Sequence, residues 1–304
     1  MKIGVTMFAT DQAIAPAELA RAAEERGFHS LYLPEHTHIP TSRKTPPPTG
    51  DAELPDEYRR TLDPFVALGA AAAVTSRLRL GTGVCLVAQR DPIVTAKAAA
   101  TLDHISGGRL VFGIGYGWNR EEMRSHGVTP RLRREIVREK MLAMERLWEQ
   151  DAAEFSGEHV RFEPSWSWPK PKQRPRPPVL LGGAPGPTLF AHIAEYADGW
   201  MPIGGAGVGA ALPDLHRAVE AAGRDPSQLM LVLLGTIPEP RKLDYYASAG
   251  GDNEARNGDG ERSVLGHGFR YRSQSRACSS STRRTTPAGA DGRRSATSVT
   301  PADA

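Results

Sequence analysis

The residues best suited to proton chemistry are Glu35 and His36, adjacent in the stretch Leu33-Pro34-Glu35-His36. An imidazole titrates near neutrality and can give or take a proton at physiological pH. Its competing role is that of a surface histidine in a polar loop shared with His38. A second set of positions carries no side chain at all. Gly81 and Gly83 interrupt the apolar run "LRLGTGVCL", Gly113, Gly115 and Gly117 alternate in "GIGYG", and Gly182, Gly183 and Gly186 lie in "GGAPG". Glycine weakens a strand but lets a ligand approach the main chain. One flat ligand lying across these points accounts for several of them at once, with Thr82, Gly83 and Val84 bulging beneath it; for any single glycine, an ordinary tight turn is the alternative.

Other chemistries find less support. Gly113 to Gly117 reads G-x-G-x-G rather than G-x-G-x-x-G, and it falls at the fourth strand of the chain, so a nicotinamide-binding Rossmann unit is disfavoured. No Cys/His cluster has metal-ligand spacing, no G-x-S-x-G elbow occurs, and Cys85 and Cys278 stand far apart. The net charge of +3 comes entirely from residues 251–304, which hold nine Arg, no Lys and six acidic residues. The remainder is formally neutral, which gives no support to nucleic-acid binding. The basic run Arg131, Arg133, Arg134, Arg138 and Lys140 reads as a solvated helix face. No uncharged apolar stretch approaches the ~20 residues of a membrane span. Met1 to Val5 leads directly into a strand pattern, so no leader is expected and the cytoplasm is the expected compartment.

The elements that must position these residues alternate short apolar runs with helical patterns. Strands are expected over 3–8, 30–33, 78–87, 110–114, 179–181, 199–203 and 229–234. Helices are expected over 16–26, 64–74, 92–105 with Asp91 as its cap, a short one from Asn119, then 130–148, 188–196, 212–222 and the beginning of another at 243–249. Asn119 and Glu122 make a capping-box-like pair; Glu121 and Glu122 also suit a helix N-terminus electrostatically. Repeated βα units predict a parallel sheet, closed into a barrel or doubly wound, with the chemistry at the strand C-termini. Residues 37–62 and 152–177 form polar, Pro-rich insertions, the second with Trp166 and Trp168. After Gly250 only five residues from Val, Ile, Leu, Met, Phe, Trp and Tyr remain, which predicts disorder over 251–304.

"LPEH", "RLRLGTGVCLVAQRDPIVTAKAAATLDHISGGRLVFGIGYGWNREE" and "PPVLLGG…EYADGWMPIG" resemble the bacterial luciferase-like superfamily, and within it the coenzyme F420-dependent oxidoreductases, over residues 1–250. The resemblance implies a TIM barrel with insertions and a deazaflavin, coenzyme F420, or alternatively FMN, bound at its C-terminal mouth. It implies a non-prolyl cis peptide at Gly83-Val84 behind the ring, and Glu35 and His36 near the ring with His36 moving a proton. It also implies Gly115, Tyr116, Gly117, Trp118 and Glu121 along the cofactor's tail side, and Gly182, Gly183 and Ala184 at its phosphate. The activity implied is hydride transfer between F420 and a small organic substrate that the two insertions cover. The alternatives are an FMN-dependent monooxygenase fed by a flavin reductase, or an inactive or cofactor-binding remnant. Assembly as a homodimer is left open. The family's final βα unit has no counterpart after Ala249, so a barrel of seven strands ending in a disordered tail is expected.

Overall fold

The structure, a computed structural model, describes residues 2–47, 53–236, 241 and 262–267. In chain order the strands are β1 (Lys2–Thr6), β2 (Ser30–Leu33), β3 (Arg79–Thr82), β4 (Leu110–Gly115), an antiparallel hairpin of β5 (Ala152–Ser156) and β6 (Arg161–Trp166), then β7 (Val179–Gly182), β8 (Gly199–Met201), β9 (Met230–Leu233) and β10 (Arg262–His267). The hairpin apart, these strands close a parallel barrel in the order β1-β2-β3-β4-β7-β8-β9-β10. All its C-terminal strand ends therefore open at one mouth. The helices are α1 (Pro16–Glu25), α2 (Pro64–Ala73), α3 (Pro92–Ile105), α4 (Arg120–Ser125), α5 (Arg133–Glu149), α6 (Pro187–Tyr196) and α7 (Val208–Ala221).

Helix starts follow local chemistry. Asp63 caps α2 by accepting from the N–H groups of Phe65 and Val66, and Asp91 caps α3 by accepting from Val94 at 2.8 Å. α1, α2, α3 and α6 each begin with proline, whose fixed φ suits the first turn. Among the described residues no helix is long and apolar enough to cross a membrane.

The eighth strand corrects the seven-strand expectation. β10 lies between β9 and β1, with Ile3 opposite Val264 and Val232 opposite Ser263. The physical reason is backbone pairing: β1 and β9 would otherwise present unpaired N–H and C=O groups, and a ladder needs no side-chain pattern. Within Arg262–His267 only Val264 and Leu265 are large and apolar, too short a run to register as a strand. The helix expected at 243–249 and the rest of the 251–304 tail lie outside the described residues.

Barrel strands are apolar on both faces, as a sheet covered by helices requires. Leu31, Leu33, Leu80, Phe112, Ile114, Val179 and Leu181 belong to the layer shared with the helices. Tyr32, Val111, Leu180, Met201 and Val232 fill the barrel interior, joined by Leu234 and Val84. Because successive strand residues alternate faces, the positions that follow Val111 and Leu180 on the inward face are Gly113, Gly115 and Gly182.

Candidate active site

That alternation explains the glycines. A Cβ on Gly81 would enter the Tyr32 ring, and one on Gly113 would collide with the Thr82 carbonyl oxygen. At Gly115 a Cβ would stand 2.5 Å from Val84 Cγ2, and at Gly182 3.0 Å from Val84 Cγ1. Gly115 on β4 and Gly182 on β7 thus leave room for Val84, while Gly113 leaves room for the chain at Thr82 and Gly81 for the Tyr32 ring. The expectation that these strand tips lie bare for a ligand is corrected: Gly115 is buried beneath Val84, and Val84 itself, half-buried, offers the surface.

The Gly83-Val84 peptide is cis, as the resemblance implies. β3 pairs with β4 as Leu80 opposite Leu110 and Gly81 opposite Val111, but past the turn Cys85 stands opposite Ile114. One extra residue has entered β3, which is a bulge. Gly83 N–H donates to Leu33 O at 2.8 Å, while Gly113 O accepts from Cys85 N–H at 2.8 Å and from the Thr82 hydroxyl at 2.6 Å. Thr82, wholly buried, is therefore framework under the bulge rather than lining.

Glu35 and His36 leave the neighbouring tip of β2, and the structure separates their roles. Glu35 is 3% exposed, with both oxygens engaged: Oε2 accepts from Leu86 N–H at 2.7 Å, and Oε1 from Arg90 Nε at 2.5 Å. Arg90 continues to Asp63 Oδ2 at 2.6 Å. Glu35 thus fastens the segment that follows the bulge. Breaking a buried ion pair leaves the partner charge uncompensated. Glu35→Gln is expected to cost about 3 kcal/mol in urea unfolding; wild-type stability would show that Arg90 does not depend on the charge.

His36 turns the other way. Its Nδ1 lies 2.9 Å from Glu122 Oε2, and Trp118 Nε1–H donates to its Nε2 at 3.3 Å. An indole nitrogen only donates, so a neutral His36 accepts at Nε2 and carries its proton on Nδ1, toward the carboxylate. The rings of Tyr58 and Trp118 stand 5.3 and 5.7 Å from the imidazole. His36 and Glu122 are 8% and 0% exposed.

Glu122 is the residue that the sequence reading left as a helix-end charge. Asn119 does cap α4, its Oδ1 accepting from Glu121 and Glu122 N–H at 3.2 and 3.3 Å. Yet the Glu122 carboxylate does not return to the cap as a capping box would require; it crosses to His36. A carboxylate at N3 of a helix opening at a barrel mouth was the available signal. Glu122 Oε1, Asn119 Nδ2 and both amide atoms of Gln89 are buried without a hydrogen-bond partner. Such atoms mark room for an ordered water or a ligand's polar edge.

The other expected residues are spread along the mouth. Tyr116 is buried and meets His192 Nδ1 through its hydroxyl at 2.8 Å; burial pushes its phenol up to about 12. Gly117, at φ 79°, sits over Met123 and Gln89. Gly183 lies beside Leu189 and Tyr116, and Ala184 is exposed ahead of α6. Glu121 accepts from Thr45 Oγ1 at 2.6 Å, so it holds the 37–62 insertion. Tyr58 and Arg43, the latter 5.7 Å from the Trp118 ring, bring that insertion to the mouth.

The 152–177 insertion packs on α5, and its hairpin tip reaches the first turn of that helix, where His159 Nε2 stands 3.8 Å from Glu135 Oε1. It follows a helix and precedes a strand, so it starts from the opposite end of the barrel. Its hairpin lies along α5, with Glu139 accepting from the N–H groups of Glu158, His159 and Val160. Trp168 donates to Asp151 at 3.2 Å, and Trp166 is largely exposed.

Residues 9–237 match the family model for luciferase-like monooxygenases. The chain belongs to that family. It is 49% identical over 253 residues to the Mycobacterium tuberculosis protein Rv0953c, covering 82% of this chain and 89% of the relative. An F420-dependent glucose-6-phosphate dehydrogenase of Kineococcus radiotolerans is 32% identical over 70% of this chain and 60% of its own length. Among solved structures, the monooxygenase RslO1 from Streptomyces bottropensis superposes with a TM-score of 0.65 at 27% identity, covering 81% of this chain and 75% of that one. An F420-dependent secondary alcohol dehydrogenase, at 24% identity and a TM-score of 0.63 over 77% of this chain and 69% of that one, shares the fold. An FMN-bound Baeyer-Villiger monooxygenase of Pseudomonas putida shares the fold at 18% identity and a TM-score of 0.61, over 76% of this chain and 66% of that one.

Proposed function

We propose that this protein is an F420-dependent oxidoreductase that exchanges a hydride with a small organic alcohol or carbonyl. The observation that carries this reading is the His36–Glu122 pair on the strand tip next to the Val84 bulge. Every hydride passed between an alcohol and a carbonyl is accompanied by one proton at oxygen, and a buried, oriented imidazole is suited to move it. The relatives named above that use F420 support the choice of cofactor.

The residues present fit such a group. Val84 offers an apolar floor, Trp118 and Tyr58 a wall, and the orphaned polar atoms of Gln89, Asn119 and Glu122 partners for a ring edge or water. When bound, the deazaflavin supplies a two-electron hydride donor or acceptor. His36 would hold the exchangeable proton at Nε2 when protonated and accept it there when neutral, with the Trp118 N–H turned away from that atom. Glu122 keeps the ring oriented and stabilises its cationic form. Tyr58 and Trp118 shield the imidazole from water. Glu35 positions the floor through Leu86 and Arg90.

FMN-dependent oxygenation, with reduced flavin from a partner reductase, is the second reading, favoured by the likeness to RslO1. Equilibrium titration with F420 and with FMN, followed by anaerobic mixing of the reduced forms with simple ketones, separates the two. Tighter F420 binding and oxygen-independent ketone reduction are expected. Binding of FMN alone, with product formed only in the presence of oxygen, would overturn the F420 reading.

A further inference from the structure

The basic run on α5 surrounds a carboxylate that it does not use. Glu135 lies in the first turn of that helix, and Arg138 follows three positions later, a spacing at which helical neighbours pair. Arg138 turns to Glu195 instead, its Nε donating to Oε2 at 2.6 Å. Lys140 Nζ is held by the carbonyls of Ala88 and Arg90 at 2.8 and 2.6 Å. Glu135 meets an imidazole from another element: its Oε1 is 3.8 Å from His159 Nε2. That nitrogen is buried and has no hydrogen-bond partner. Glu158, beside His159 in the tip of the β5–β6 hairpin, brings a second carboxylate. The ligand-bearing atoms of Glu135, Glu158 and His159 all lie within 4.8 Å of one another. Among the described residues neither carboxylate has an ion pair with Lys or Arg.

The three groups are brought together by a built contact. Glu139, about one helical turn after Glu135 on the same face of α5, clamps the hairpin tip. Its Oε2 accepts from Glu158 N–H at 3.0 Å, and its Oε1 from His159 and Val160 N–H at 2.6 Å each. The approach requires glycine at 157, since a Cβ there would collide with Glu139 Oε1. Gly157 N–H closes the turn on Val160 O at 2.9 Å, and the Val160 side chain is buried. One carboxylate thus fixes the backbone that carries His159 and Glu158, and its own helix carries Glu135. The His159 side chain is 17% exposed and already turned inward, whereas Glu135 and Glu158 are exposed and have room to turn.

We propose that Glu135, Glu158 and His159 bind a zinc ion, with water as the fourth ligand. One imidazole nitrogen and two carboxylate oxygens suit zinc, while calcium and magnesium take oxygen ligands. Tetrahedral bonds of ~2.0–2.2 Å set ligand atoms roughly 3.4 Å apart. The 3.8 Å between Glu135 Oε1 and His159 Nε2 closes to that by a small rotation of the exposed carboxylate. The ion supplies the partner that the buried nitrogen lacks, and it ties the tip of the 152–177 insertion to the first turn of α5. The site shares no residue with the His36–Glu122 pair and does not rest on the choice of cofactor.

The test uses the full chain after treatment with a chelator. Zinc is titrated by calorimetry and cobalt by visible absorbance, beside magnesium and calcium. One tight equivalent of zinc is expected, together with a rise in Tm. Cobalt should give the intense visible bands of a four-coordinate site, and magnesium and calcium should give no binding. His159→Gln is expected to weaken zinc binding, as is Glu158→Gln, an exposed position where folding is not at stake. Each loss should be no smaller than the roughly 10–100-fold that follows removal of a ligand's supporting partner. His36→Asn should leave zinc affinity at the wild-type value. The absence of a tight equivalent in wild type overturns the site, and so does unchanged affinity in either ligand variant. Calcium bound as tightly as zinc overturns it too, because an acidic patch without the imidazole would then account for the binding.

Discussion

Replacing His36 with asparagine is expected to lower turnover about 10²–10⁴-fold, the range of a lost general acid or base, while cofactor affinity stays near wild type. The size follows from the isolation of the group. Glu35 cannot substitute, because both its oxygens are held by Leu86 and Arg90. Glu122 is wholly buried, with its Oε2 engaged by the imidazole at 2.9 Å. Glu122→Gln should lose nearly as much. A glutamine can turn its amide N–H toward Nδ1, which forces the ring proton onto Nε2, where the Trp118 N–H already points. The ring would then be held in the wrong tautomer or rotated away. The check is steady-state kinetics of both variants at saturating cofactor. In both variants kcat should fall with little change in KM. Near-wild-type kcat would remove His36 from the chemistry and leave it as a wall of the pocket.

Much of the frame was legible because it is written in local chemistry. Pro-initiated helices capped by Asp63 and Asp91, and strands bounded by glycine, announce βα units within ten or so residues. The Gly83-Val84 turn was legible through resemblance. What escaped depends on contacts distant in sequence. Glu122 meets His36 across 86 positions, and nothing in "NREE" distinguishes a carboxylate aimed inward from one that merely suits a helix start. β10 is recruited by the open edges of β1 and β9 rather than by its own pattern. α7 begins at Val208 and carries Pro213 inside it, although proline ordinarily marks a first turn. Composition reveals the hairpin at 152–166 as part of an insertion; only its position after a helix reveals from which end of the barrel it departs.

The glycines join both halves of this account, since the pleat that builds the barrel also clears space for the site. Their spacing, Gly81-x-Gly83 and Gly113-x-Gly115, is the period of a strand's inward face. The obstacle differs from one position to the next, and so must the effect of adding a methyl group. At Gly115 it is the far end of the Val84 side chain, 2.5 Å away. Gly115→Ala is therefore expected to cost about 1–3 kcal/mol, the usual range for overpacking. Shortening the obstacle with Val84→Ala should recover most of that cost, so the double variant is more stable than the sum of the singles predicts. At Gly113 the obstacle is the Thr82 carbonyl oxygen, fixed in the chain next to the bulge. No side-chain truncation can remove it. Gly113→Ala should cost more than about 3 kcal/mol, a fall in Tm of roughly 6–12 °C for a chain of this size, and Val84→Ala should not rescue it. Thermal melts of the five variants beside wild type decide the matter. Rescue of both glycine variants, or of neither, would mean that Val84 is not what these strands make room for, and the floor assigned to the cofactor would have to be sought elsewhere in the mouth.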